Sequence, residues 1–174
     1  KNNKFYSNKS TNIIFDKNYN LDLQNFEYDI TNKKVSSNNF VIIKDKIGNY
    51  FELKGFVLNT NLNKFIGEKI KFIDIEKNEY FLKDAMINTK NKNIFGRDLD
   101  IDFNNNLFGN DKNDPRLNAR SIKIKEDFSS MKKGVFTTCN NDNDCPPWSI
   151  YAEEIEHDKK EKVIKYKNAW LNIY

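Results

Sequence analysis

One histidine, two cysteines and a scatter of carboxylates are the groups in this sequence that could do chemistry. His157 stands between Glu156 and Asp158. Acid–base or nucleophilic catalysis needs a nucleophile or an orienting partner held beside the imidazole, and no such set is spaced for it. The histidine is therefore expected in a turn, bonded to a nearby backbone carbonyl. Many Asp and Glu residues could in principle supply a glycosidase pair, but no two are singled out, and most sit on polar faces or in turns. Cys139 and Cys145 with one distant histidine fall short of the usual four ligands of a structural zinc site. Trp148 and Trp170 suit a core or cavity lining better than a sugar platform. The expectation is binding rather than catalysis, with no catalytic residue, no metal ligand and no cofactor.

Composition narrows the partners. The chain has 174 residues, enough for one domain with its own core over 1–174. Hydrophobic residues make up 38% and aromatics 14%, too much apolar surface for a disordered chain, while Asn and Lys bring the mean hydropathy to -0.81. The net charge of +4 arises from 29 basic and 25 acidic residues of interspersed sign, and Arg appears only at Arg97, Arg116 and Arg120. A nucleic-acid binder gathers its cations into a stripe and favours arginine, so no nucleic-acid partner is expected. No apolar run reaches the ~20 residues of a membrane-spanning helix. The chain opens at Lys1 without Met and reads as an excised fragment.

The elements that would position these residues are strands. Apolar and polar residues alternate in Phe40-Val41-Ile42-Ile43, Tyr50-Phe51-Glu52-Leu53, Ile70-Lys71-Phe72, Leu99-Asp100-Ile101-Asp102-Phe103, Ile122-Lys123-Ile124 and Ile164-Lys165-Tyr166. Each such segment has one apolar and one polar face. Asn, Asp, Lys and Gly clusters at 31–34, 61–64, 90–93 and 104–106 have turn composition. The segments 109–120, with Pro115, and 137–147 interrupt the alternation and are expected to be irregular. The fold class is all-β.

The turns recur. Leu58 to Gly67 matches Ile87 to Gly96 with each position 29 residues on, a looser copy runs from Tyr28 to Ser37, and Glu156 to Ile164 repeats the strand, charged turn, strand order. A strand-turn-strand unit repeated at this spacing predicts stacked hairpin-like layers that complete one another's core.

One stretch is more specific. Gly134-Val135-Phe136-Thr137-Thr138-Cys139, a short acidic loop, Cys145-Pro146-Pro147-Trp148-Ser149-Ile150-Tyr151-Ala152, then His157-Asp158 and Asn168-Ala169, resembles the OstA family of lipopolysaccharide-assembly outer-membrane proteins (LptD). The resemblance lies where that family joins its periplasmic β-jellyroll to a transmembrane barrel. It covers the C-terminal third of the chain strongly; Arg97 to Phe103 matches only in style.

The resemblance implies an OstA-like open β-jellyroll of stacked antiparallel strands at the periplasmic face of the outer membrane. It implies that lipopolysaccharide is accepted from a periplasmic bridge, LptA-like, through edge-strand pairing, and passed to a barrel plugged by an LptE-like lipoprotein. The barrel would begin near Tyr174. It also places a jellyroll-to-barrel disulfide at Cys139. Cys145, six positions on, departs from the pattern; a local Cys139–Cys145 bridge and pairing with barrel cysteines both remain open. The apolar strand faces expected to hold acyl chains carry Phe51, Leu53, Ile70, Phe72, Leu99, Ile101, Phe103, Ile122 and Ile124. Rival readings are a soluble LptA-like bridge protein and a carbohydrate-binding or adhesive surface β-module, and the same faces could equally close into an ordinary jelly-roll core.

Overall fold

A computed structural model describes residues 3–105, 113–125, 127–139, 147–158, 160–161 and 163–173. Within them the regular elements are strands: β1 (Lys4–Ser7), β2 (Thr11–Phe15), β3 (Tyr19–Leu23), β4 (Phe26–Asp29), β5 (Lys34–Ser37), β6 (Val41–Asp45), β7 (Tyr50–Asn59), β8 (Lys64–Ile73), β9 (Glu79–Asn88), β10 (Asn93–Asp102), β11 (Arg116–Lys125), β12 (Phe128–Thr137), β13 (Trp148–Asp158) and β14 (Val163–Ile173). All belong to one antiparallel 14-stranded sheet, which bears out the all-β expectation.

From β7 to β14 the chain is an up-and-down meander of strands ten or eleven residues long. At the other end the sheet forks, because two strands share one edge of β7. Residues Val41 to Lys44 of β6 pair with Leu53 to Tyr50, and Lys34 to Ser37 of β5 pair with Asn59 to Phe56. One branch continues through β3 to β2, the other through β4 to β1.

The long strands do not alternate uniformly. In β8, Phe65 and Gly67 point inward, Glu68 and Lys69 both point outward, and Ile70 returns to the inside. The same two-residue slip occurs at Lys54-Gly55, Lys83-Asp84, Arg97-Asp98, Arg120-Ser121, Lys132-Lys133 and Glu153-Glu154. Such a slip would turn half of a straight strand inside out; a kink made by all the strands together keeps both halves facing inward. The backbone shows the bend directly: Gly55, Lys69, Asp98, Lys133 and Asn168 have φ of 59°, 49°, 49°, 53° and 48°. The register aligns these kinks in one line across β8 to β14, at Lys69, Lys83, Asp98, Arg120, Lys133, Glu153 and Asn168, and each pairing ladder skips that row without shifting register. The sheet is folded along this seam.

How sharply it folds is shown by two phenylalanines. Phe51 and the cross-strand partner of Phe65, Leu58, are seven residues apart on β7, about 23 Å in a flat strand. The Phe51 and Phe65 rings nevertheless meet edge-on at 6.1 Å. The two half-sheets close on a single core that includes Leu21, Leu23, Val41, Ile43, Leu53, Phe56, Leu58, Leu82, Leu99 and Ile155.

The 29-residue repeat is structural and longer than the turn that reveals it. Asp45 and Asn49 close a turn in which Asp45 Oδ1 accepts from the Ile47 and Asn49 amides; Asp74 Oδ1 accepts likewise from Glu76 and Asn78. At the opposite strand ends, Asn59 Oδ1 accepts from Asn61 and Leu62, and Asn88 Oδ1 from Lys90 and Asn91. Neighbouring turns also interlock. Thr60 donates its amide and hydroxyl to the Lys33 carbonyl, and Thr89 donates both to Asn63.

Two expectations are corrected. Residues 116–120 begin β11: Leu117 and Ala119 alternate inward despite the polar residues between them and Pro115 before them. His157 lies within β13, opposite Ser129 and Ile164, because the turn starts only after Asp158.

Candidate functional site: the inner face and the open edge

The expected lipid-facing residues all fall on the inner face of the folded sheet. Phe51, Leu53, Ile70, Leu99, Ile101 and Ile122 are buried there, and Phe72, Phe103 and Ile124 are half-buried against the same core. The two-residue slip keeps this face continuous through the seam. Aromatic rings run along its lower half: Phe51 stacks on Phe72 at 4.5 Å, Phe72 on Tyr80 at 4.9 Å, Phe103 meets Phe136 at 6.4 Å, and Phe136 meets Trp148 at 6.2 Å. The Tyr80 hydroxyl donates to Asp74 at 3.0 Å; burial first, then the Asp74 charge, pushes that phenol well above its ordinary range. This half of the inner face is lined by apolar and aromatic side chains.

Packing along this face is uneven. At the fork Leu53 is 0% exposed and pairs with the buried Val41 of β6. At the far end the inner face of β14 carries Ile164, Tyr166, Leu171 and Ile173, in register with His157, Ile155, Ile150 and Trp148. Leu171 is 57% and Ile173 77% exposed. An apolar row of this kind at a sheet edge resembles a core cut open and marks an interaction surface. Its outer side carries Lys165, Lys167 and Trp170, which is 52% exposed and packs on Tyr151 at 4.7 Å. Trp170 thus corrects the core expectation, whereas Trp148 meets it in part.

The two terminal edges match in length. β14 has 11 residues divided at the seam, with Val163–Tyr166 on one side and Ala169–Ile173 on the other. On the fork edge β1 has 4 residues and β2 has 5, one on each half-sheet, and Ser7 Oγ lies 3.1 Å from Thr11 Oγ1 across the gap between them. Each of these edges leaves one side of its backbone without a ladder partner among the described residues.

Cys139 follows β12 as a half-buried thiol with Sγ 3.9 Å from the Trp148 carbonyl oxygen, and Arg116 Nη1 donates to the Cys139 carbonyl at 2.6 Å. Cys145 lies outside the described residues, and so does the Cys139–Cys145 pairing. A groove of about 810 Å³ lies on the outer face, where Ile66, Met86, Phe95 and Phe128 lie between Asp84, Arg97 and Lys132. No sequence feature had drawn attention to it. The seam, by contrast, had a legible signal: charged doublets such as Glu68-Lys69, Arg97-Asp98 and Glu153-Glu154 recur between inward residues.

This architecture defines the chain as an OstA-like open β-jellyroll: one antiparallel sheet folded on itself, with unpaired edges at both ends. It is similar to the crystal structure of LptH, the LptA-homologous periplasmic component of the lipopolysaccharide transport device from Pseudomonas aeruginosa, with a TM-score of 0.55 and 7% sequence identity over 72% of this chain and 94% of that one. No family model and no curated protein matches the sequence.

Proposed function

We propose that this chain is a periplasmic jellyroll of a lipopolysaccharide transport bridge, which holds acyl chains between its half-sheets and hands them to an adjoining jellyroll. The observation that carries the reading is the pair of terminal edges. β14 presents an apolar inner row, and β1 with β2 offers a divided edge of the same length. A neighbouring jellyroll of the same design would continue both half-sheets and the apolar face between them. Each CH₂ moved from water onto that face contributes about 0.8 kcal/mol, so binding needs no catalytic group.

The finer assignment is that the chain is the LptD-type jellyroll, tethered through Cys139 to a barrel with its LptE-like plug. The stretch from Gly134 to Ala169 supports it, since it builds the open end where a tether would be needed. A free-standing LptA-like bridge fits the fold equally well, and replacing Cys139 with Ser separates them. Slowed assembly of an outer-membrane product is the outcome of the LptD-type reading; a normal rate assigns the tether to Cys145 or to nothing, and a normal rate with both cysteines replaced removes it.

Site-specific photocrosslinkers test the lipid reading. Capture of lipopolysaccharide is expected from Phe72, Ile101, Tyr166 and Leu171, and not from Lys71 or Asp100, which face outward. Capture only from the outward positions would overturn it.

A further inference from the structure

The closed core raises a question for any apolar ligand, because most of the inner face is sealed in the structure described. We infer that the seam is a hinge about which the half-sheets part to admit acyl chains, and that Gly134 is among the residues that let it shut. The inference rests on the lipid-carrying reading and adds the motion that reading requires.

Three independent features converge on the seam. The hydrogen-bonded ladder is interrupted along one row through all the pairings from β8 to β14, so bending there breaks little that is not already broken. On alternate strands the seam residue, at Lys69, Asp98, Lys133 and Asn168, holds a left-handed backbone conformation without being glycine, so the bend is built into the chain locally. Exposed side-chain pairs span the seam row on the outside: Lys83 lies 3.7 Å from Asp98, Arg97 donates twice to Asp84, and Asn168 donates to Glu153 at 2.6 Å. These join neighbouring strands to one another, not the two halves, and so keep the sheet intact while it flexes.

Closure depends on what lies over the inside of the bend. At Gly67, Gly96 and Gly134 a side chain from the opposite side of the seam, on a neighbouring strand, occupies the place of a missing Cβ. The nearest atoms to such a Cβ would be Leu53 Cδ1 at 2.2 Å, Leu82 Cδ2 at 2.2 Å and Ile155 Cδ1 at 2.4 Å. These are the ends of flexible side chains, so alanine could be absorbed by rotation; a larger residue would have to lever the halves apart. Gly134 and Ile155 sit nearest the exposed edge, where the smallest weight of core opposes opening.

The test uses the full chain with Cys139→Ser and Cys145→Ser, and spin labels on cysteines introduced at Pro147 and Lys160, which are exposed beyond the two ends of β13. The distance between them reports the bend, and the fluorescent fatty acid cis-parinarate is the lipid probe. Parinarate is expected to lengthen the distance. Gly134→Leu is expected to lengthen it without lipid and to tighten parinarate binding several-fold, since the open state no longer has to be reached first. Binding with an unchanged distance overturns the hinge and leaves the lipid reading standing. A lengthened distance in Gly134→Leu with no parinarate bound to either protein retains the hinge and overturns the lipid reading. Should Gly134→Leu fail to fold, the free and parinarate-bound distances of the parent decide the matter alone.

Discussion

Two inward-facing leucines of this sheet meet opposite fates: Leu53 on β7 is buried, and Leu171 on β14 is exposed. At the fork, Leu53 on β7 pairs with Val41 of β6, reaches over Gly67 of β8 and belongs to the buried core. On β14, Leu171 also faces inward, but among the described residues its strand pairs with β13 alone, and its side chain stays in water. The difference lies in the number of neighbouring strands and not in side-chain chemistry. A fork gives a strand enough partners to bury it; a plain edge leaves that to whatever docks next.

The largest expected effect tests that contrast. Leu53→Ala should cost about 2–5 kcal/mol, the usual range for a buried leucine. Leu171→Ala should stay within about 0.5 kcal/mol, as exposed substitutions do. Denaturant unfolding of the two variants measures both, and equal losses would break the comparison.

The seam offers a second contrast, nearer the open end. Lys133→Val should lose roughly 1–2 kcal/mol although valine favours strands, because a β-branched residue resists the left-handed conformation held there. Lys71→Val, on ordinary strand backbone, should change little by the same denaturant unfolding measurement. The interlocked turns near the fork give a smaller effect: Thr89→Ala removes a buried hydroxyl donor to Asn63 and should cost about 0.5–1.5 kcal/mol. Amide hydrogen exchange would sharpen the picture, with protection expected to fall from β7 to β14.

The smallest effect concerns pH. Burial first, then the charges of Glu79 and Asp100, raises the Asp102 carboxyl above its ordinary value. A raised acid is harder to ionise in the folded chain than in the unfolded one, so it lowers stability at neutral pH, and the loss disappears as pH falls below the ordinary carboxylate range. Asp102→Asn should therefore add a few tenths of a kcal/mol at pH 7, small because the group is largely solvated, and nothing in acid. A gain that persisted in acid would assign the effect to something other than charge.

Much of the fold was legible in the residues. Strict alternation in Tyr50 to Leu53, Ile70 to Phe72 and Leu99 to Phe103 identified strands and their inner faces, and matching Thr, Asn and Gly positions identified the repeat. The start of β11 was missed because Pro115 and three polar residues outweighed two inward positions, Leu117 and Ala119. His157 was placed in a turn because its charged neighbours are turn-like in composition, while pairing with β12 and β14 holds it in a strand. Cys139 was found, but through its resemblance to a known join, not through anything its spacing alone required.

By itself the sequence determined the strands, their inward faces and the 29-residue recurrence, because these depend on period-two patterning and local turn chemistry within a few residues. Only the tertiary structure decided that the slips align into a seam, that the sheet forks at β7, and that Ile164, Tyr166, Leu171 and Ile173 stay exposed. Those facts depend on which strands become neighbours, and an apolar side chain is chemically the same whether one strand or two lie beside it.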